Sequence, residues 1–164
     1  MPKLMIKCIK MITLVVLFNQ CTASMNSSAH RFHPSPRVKD ILTWRDEGGS
    51  VYCQARSHDN YDYRGTLDRA SRGDSQALQS IFVYTKNGSQ MGEGAETHIE
   101  VLGELLKQWG DPDYANVLSN QTSEVTRSVS QMLNEYWGYP GWPRDKYAIT
   151  HRICAGSMHA EPQR

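Results

Sequence analysis

The sequence predicts a small all-α protein, and two observations support that fold class. Positions 92–109 form an amphipathic helical pattern in which Ile99, Leu102 and Leu106 share one apolar face. Between positions 67 and 137, capping and turn residues separate further segments with helical spacing. An amphipathic helix must cover its apolar face, so these segments are expected to pack as a helical-hairpin array of about five helices.

Each predicted helix begins or ends at a recognisable signal. A short helix starts at Leu67, and Asp74 can cap the next one, over positions 75–85, by accepting hydrogen bonds from backbone N–H groups. The long helix at 92–109 follows. Asp111-Pro112 marks the start of a fourth helix, because proline suits the first helical turn. Thr122 or Ser123 can cap the fifth helix, which runs to position 137.

The segments on either side of the array look different. Positions 24–60 are polar and interrupted by prolines and a Gly-Gly pair, so they are predicted to be irregular, although a short helix from Pro36 to Trp44 would fit. The helical domain is assigned to positions 61–137. Positions 138–164 begin with several glycines, prolines and aromatic residues, which predicts a Pro/aromatic tail.

Length and charge limit the classes of function. A chain of 164 residues with a formal net charge of +1 allows one domain and carries no broad field to attract polyanions. Nucleic acid is therefore not expected as a partner. The sequence indicates no cofactor, since it lacks the glycine-rich phosphate loops and the nucleophile elbow of common enzymes.

The first 23 residues are typical of a signal peptide for export to the periplasm or the cell exterior. Lysines precede a short apolar run at 11–18, which is too short to span a membrane as a helix, and small residues follow it. No transmembrane span is expected after cleavage. The alternative is a lipid anchor on Cys21, although Gln20 stands where lipoprotein signals normally carry a small residue.

Cys53 and Cys154 are the two cysteines that follow the predicted signal peptide. Exported proteins meet an oxidising environment, so these thiols can form one disulfide. Such a bridge would tie the N-terminal segment to the tail. The sequence leaves open the alternative of two unpaired thiols.

A repeated Gly-Asp pair suggests an internal repeat. Gly73-Asp74 and Gly110-Asp111 each separate two predicted helices, and the pattern LxRAxxGDxxAL begins at Leu67. This pattern resembles the helix-turn-helix unit of tetratricopeptide and related short helical repeats, over about positions 67–137. The resemblance implies stacked α-hairpins with a continuous core.

His98 is the most obvious candidate for chemistry on the long helix. It is predicted at the edge of the apolar face, where a hydrogen bond to a neighbouring helix is the ordinary role. The alternative is a metal-dependent or hydrolytic enzyme built from scattered residues such as Glu96, His98 and His151, with His58 as a further zinc ligand. The glutamates of the opposite face, including Glu100 and Glu104, are expected to face water.

The C-terminal aromatic residues are the predicted surface for a protein or peptide partner. Aromatic side chains offer large contact areas, and arginine can stack on them. The residues are Tyr136, Trp137, Tyr139, Trp142 and Arg144. In the alternative interpretation they fold back and cap the open end of the array.

Together these patterns predict an exported binding or interaction module without catalytic activity. The scattered-residue enzyme and a lipid-anchored structural component of the cell envelope are the two alternatives. The oligomeric state does not follow from any of these patterns.

Overall fold

The computed structural model describes residues 32–138 and 141–159, and within them the chain forms eight α-helices and no strand. The all-α class is thereby confirmed. The helices are α1 (Pro36–Thr43), α2 (Val51–Asp59), α3 (Tyr63–Ser71), α4 (Ser75–Asn87), α5 (Glu93–Trp109), α6 (Asp111–Ser119), α7 (Ser123–Trp137) and α8 (Ala148–His159).

The predicted count of about five helices is wrong, because it covers α3 to α7 alone. Helices α1 and α2 lie in the segment predicted to be irregular; α1 agrees with the short helix that would fit from Pro36 to Trp44, whereas α2 was not predicted. The hydroxyl of Ser35 accepts from the N–H of Val38 at 3.1 Å, and that of Ser50 accepts from the N–H of Cys53 at 3.2 Å. The serines therefore cap helices, and Pro36 occupies a first helical position where proline is tolerated.

Helix α8 occupies much of the segment predicted to be a tail. It packs against α6 and α7, and its start is held by a residue from another helix. The Asp111 carboxylate accepts from the backbone N–H groups of Ile149 and Thr150, at 2.7 and 2.8 Å. A carboxylate placed at the N-terminus of a helix satisfies N–H groups that have no partner within that helix.

Helix α5 is the central element of the fold, as expected from its sequence. It packs against α1, α2, α3, α6 and α7. Its buried face is wider than the predicted stripe and displaced from it: Leu102 and Leu106 are buried, whereas Ile99 is only half-buried. The buried face also includes residues that are not apolar, because neighbours surround the helix on several sides. The buried residues of α5 are Gly94, Thr97, His98, Val101, Leu102, Gly103, Leu105, Leu106 and Trp109.

The two Gly-Asp pairs occupy similar corners between consecutive helices. Gly73 has a φ of 92° and Gly110 a φ of 74°, values that glycine adopts without a steric penalty. Asp74 caps α4 as predicted, whereas Gly110 takes the cap position of α6 and leaves Asp111 inside the helix. Kinship with tetratricopeptide-like repeats stays a prediction.

Cys53 and Cys154 are free thiols in the structure. Cys53 lies half-buried on α2, which packs against α3 and α5, whereas Cys154 is buried on α8, which packs against α6 and α7. The structure thus lends no support to the predicted disulfide, since the two cysteines belong to helices with different neighbours. Burial raises the pKa of the Cys154 thiol to about 11.

Some predictions fall outside the described residues: the signal peptide at 1–23, the lipid site at Cys21, and Tyr139 in the aromatic segment. Between positions 32 and 159, leaving out 139 and 140, none of the helices combines the length and the hydropathy needed to cross a bilayer.

Candidate functional site

His98 lies in the centre of the fold, and not at the edge of an apolar face as predicted. Its side chain is fully buried, with Nδ1 2.6 Å from the Tyr63 hydroxyl and Nε2 2.9 Å from the Thr85 hydroxyl. These partners belong to α3 and α4. The predicted hydrogen bond from a neighbouring helix is thus present, and His98 joins three helices through its two ring nitrogens.

The hydrogen bonds define the protonation state of His98. The Thr85 hydroxyl donates to the Ile81 carbonyl at 3.0 Å, so it accepts from an Nε2–H group of His98. The Tyr63 hydroxyl then donates to the unprotonated Nδ1. A neutral ring satisfies every group, and burial lowers the pKa of His98 to about 3.

The three residues of the alternative enzyme do not come together. Glu96 is exposed on α5, whereas His151 lies on α8 with its ring 5.5 Å from that of Trp142. Both nitrogens of His98 are already bonded. Across the described residues, no group of three His, Cys, Asp or Glu side chains could hold a metal ion.

The C-terminal aromatic residues pack onto the helices. Trp142 is 7% exposed and belongs to the core, and Trp137 packs against that core with its ring 5.6 Å from that of Tyr147. Tyr136 is half-buried, while Arg144 is exposed. Trp142 therefore lies where the capping alternative places it. A binding role for the remaining residues stays a prediction.

Two of the glutamates on α5 are engaged with the N-terminal residues instead of facing water freely. Glu100 accepts two hydrogen bonds from the guanidinium group of Arg37, at 2.6 and 2.8 Å. Glu104 accepts from the hydroxyls of Ser35 and Tyr136, each at 3.0 Å, and from Lys107 at 2.9 Å. Partial burial raises the pKa of the Glu104 carboxyl, but these hydrogen bonds outweigh it and lower the pKa below its usual value.

A cavity of about 610 Å³ beside α4 is the best candidate for a binding site, and we call it the tyrosine groove. Its volume lies within the range of ordinary ligand sites. Its lining comes from the end of α2, the short loop between α2 and α3, and the outer face of α4 with the glycine that follows it. The lining residues are Asp59, Tyr61, Gln76, Gln79, Ser80, Val83, Tyr84, Asn87 and Gly88.

Tyr61 is positioned in the groove by a sharp corner after α2. Asn60 ends α2 in the left-handed conformation, with a φ of 49°, and the Tyr61 N–H donates to the Ala55 carbonyl at 2.9 Å. Asparagine tolerates this conformation better than most residues. The corner stacks the Tyr61 ring on the Tyr84 ring, with centroids 4.6 Å apart and planes 10° from parallel.

The stacked rings of Tyr61 and Tyr84 pack against Tyr63 and His98. The Tyr63 ring meets Tyr61 edge-on at 6.0 Å, and the Tyr84 ring lies 5.5 Å from the His98 ring. Such edge-on aromatic contacts are favourable. The buried hydrogen bonds of His98 thus fix the position of the side chains against which Tyr61 and Tyr84 pack.

The groove also presents polar side chains that are free to bind. Gln76, Gln79 and Asn87 lie on the same outer face of α4, and their side-chain amides make no hydrogen bond to any described residue. Asp59 has a structural partner, since its two carboxylate oxygens accept from the N–H and hydroxyl of Ser89 at 2.9 and 2.8 Å. Burial acts to raise the pKa of Asp59, but the bonds from Ser89 lower it.

Tyr61 also lines a second cavity, of about 400 Å³, next to the groove. The two arginines that line this second cavity already have partners within the protein. Arg64 donates to two backbone carbonyls at the end of α1, and Arg56 pairs with Asp46. The tyrosine groove is thus the larger of the two cavities that share Tyr61, and it carries more unpaired polar side chains.

The tyrosine groove has no clear signal in the sequence, for a physical reason. The amides of α4 recur with helical spacing, but a polar face of this kind is usually only solvated. Tyr61 gave no signal either, because its position depends on the corner at Asn60 and on contact with α4. The cluster of tyrosines at 61, 63 and 84 could have indicated the site only with the packing known.

Comparison of this chain with protein-family models, with curated proteins and with solved structures gives no match.

Proposed function

We propose that this protein is an exported binding module that holds a small polar ligand in the tyrosine groove and does not catalyse a reaction. One observation carries the proposal. A cavity of about 610 Å³ combines an aromatic wall with three side-chain amides that lack hydrogen-bond partners in the described structure. Ligand sites typically combine apolar walls with a few polar groups that fix orientation.

The construction of the groove also favours binding over catalysis. A catalytic base must reach the proton that it removes from a substrate. His98 is hydrogen-bonded to the hydroxyls of Tyr63 and Thr85, but all three side chains are buried in the core. These three side chains pack beneath the groove, where a substrate cannot reach them.

Binding can be tested on the 15N-labelled chain, expressed with its full sequence, by following the side-chain NH2 resonances of Gln76, Gln79 and Asn87. The probes are one neutral trisaccharide (cellotriose), one uncharged peptide (acetyl-Pro-Pro-Pro-amide) and one nucleotide (adenosine monophosphate). We expect at least one probe to shift these resonances saturably, with a Kd of about 1 mM or tighter. If all three leave the resonances unchanged, the groove is not a binding site of this kind.

A matched pair of variants shows whether the shifts come from the groove. Gln79→Ala removes one amide from the exposed face of α4, and Gln131→Ala removes one from the exposed face of α7. Alanine favours helix, so both variants should fold. We expect weaker binding in the first variant alone, and equal weakening in both would count against the groove.

Export is a separate part of the proposal and has its own measurement. A cleaved signal peptide predicts a mature chain that begins at Ser24, with no added lipid. Mass spectrometry of the chain recovered from its native host distinguishes the outcomes. A lipid-bearing N-terminus at Cys21 would replace this proposal with a lipid-anchored protein.

A further inference from the structure

We infer that the ligand class of the tyrosine groove is a neutral saccharide, an inference that rests on the proposed binding function. A sugar ring has hydroxyls that both donate and accept hydrogen bonds, and it also has less polar faces made of C–H groups. A site for it therefore needs polar groups of both kinds beside an apolar surface. The groove has this combination.

The polar wall can donate and accept at the same time. Each side-chain amide of Gln76, Gln79 and Asn87 has a carbonyl acceptor and an NH2 group with two donors. Since these groups make no hydrogen bond to described residues, they are free to pair with hydroxyls of a ligand. The Ser80 hydroxyl is less free, because it donates to the backbone carbonyl of Gln76 at 3.0 Å.

The apolar wall comes from Tyr61 and Val83. Val83 is 37% exposed, which makes it one of the few large apolar residues of the described chain that face solvent. Tyr61 is half-buried and held in place by its stack on Tyr84. A rigid ring loses little conformational freedom on binding, so it is suited to pack against a sugar face.

The charges of the groove favour a neutral ligand. Asp59 is the one charged residue in its lining, and no lysine or arginine lines it. The nearby cation Lys86 pairs with Glu124. A phosphate or carboxylate ligand would meet Asp59 with no lysine or arginine in the lining to offset the repulsion, and like charges disfavour each other most where water is partly excluded.

The groove is less suited to a peptide. A helical peptide binds through a row of apolar anchors, and Val83 and Tyr61 provide too short an apolar strip for such a row. An extended peptide adds to the edge of a sheet, and the described residues contain no strand. A proline-rich peptide needs a set of exposed aromatic rings, whereas Tyr84 is only 5% exposed.

The test compares cellotriose, maltotriose and N,N′,N″-triacetylchitotriose with the anionic trigalacturonic acid and the peptide acetyl-Pro-Pro-Pro-amide. The 15N-labelled full chain is titrated with each, and the NH2 resonances of Gln76, Gln79 and Asn87 report occupancy. We expect at least one neutral trisaccharide to saturate with a Kd of about 1 mM or tighter, and trigalacturonic acid to bind about tenfold more weakly. Gln79→Ala should weaken the neutral sugar by about tenfold, and Gln131→Ala should not.

The outcomes separate this inference from the proposed function. If the peptide or trigalacturonic acid saturates these resonances and the neutral sugars do not, the saccharide inference is wrong and the binding function stands. If none of the five probes saturates them, the saccharide inference is wrong, and the binding function fails with it unless adenosine monophosphate shifts these resonances. Unequal binding of the three neutral sugars supports the inference and identifies which linkage and substituents the groove prefers.

Discussion

The carboxylate of Asp111 on α6 accepts a hydrogen bond from the backbone N–H of Thr150 on α8, at 2.8 Å. The second carboxylate oxygen accepts from the next N–H group toward the helix start, at 2.7 Å. The sequence predicts that Asp111 caps its own helix, but in the structure it caps another helix. This contact anchors the C-terminal helix to the rest of the fold.

We expect Asp111→Ala to lower the free energy of unfolding by about 1–2 kcal/mol, because it leaves two N–H groups of α8 without their acceptor. Asp113→Ala is the control, since Asp113 is exposed in the same first turn of α6 and makes no hydrogen bond to a described residue. Urea denaturation of both variants measures the difference. Equal destabilisation would show that charge near the start of α6, and not the bond to α8, is responsible.

We expect Trp142→Ala to destabilise the protein by about 2–4 kcal/mol, because its side chain is buried and its removal leaves a cavity. Its indole Nε1 has no hydrogen-bond partner among the described residues, so the loss comes from packing. Arg144→Ala, at an exposed site in the same segment, is expected to have little effect. Thermal unfolding of both variants tests whether the segment caps the fold, and an unchanged midpoint for Trp142→Ala would contradict it.

Gly103 allows α5 and α7 to approach closely. A Cβ atom at this position would lie 2.3 Å from the Tyr136 ring, so Gly103→Ala must displace that ring and disturb its bond to Glu104. We expect a loss of about 1–3 kcal/mol in unfolding free energy. Gly156→Ala on α8 is the matched change, because a Cβ there meets nothing within 4 Å and alanine favours helix by up to about 1 kcal/mol. Denaturation curves that shift in the same direction for both variants would contradict this assignment.

The sequence predicted the elements that depend on local patterns. The apolar spacing of α5, the Asp74 cap of α4 and the Thr122 cap of α7 all appear in the structure. These signals involve residues within one or two helical turns of each other. A single sequence contains that information directly.

The features that could not be predicted depend on contacts between residues that are far apart in the sequence. Helix α8 relies on Asp111, which lies 38 or more positions before the N–H groups that it caps. Glu104 looked like a solvent-facing residue because its partners Ser35 and Tyr136 come from other elements. The tyrosine groove is of the same kind, since Tyr61 meets α4 only after the chain has turned at Asn60.

Burial of neutral His98 predicts a loss of stability in acid. Its folded pKa is about 3, below the ordinary value of 6.5, so between these pH values the unfolded chain binds one more proton than the folded chain. This group alone should lower the free energy of unfolding by about 1.4 kcal/mol for each pH unit below about 6.5, and the loss should level off near pH 3. His98→Gln, which cannot take up this proton, should show a flatter dependence in urea denaturation between pH 7 and pH 4.5. His58→Gln, at an exposed site on α2, should keep the slope of the unmodified protein. Parallel slopes for the unmodified protein and His98→Gln would show that other groups cause the acid sensitivity.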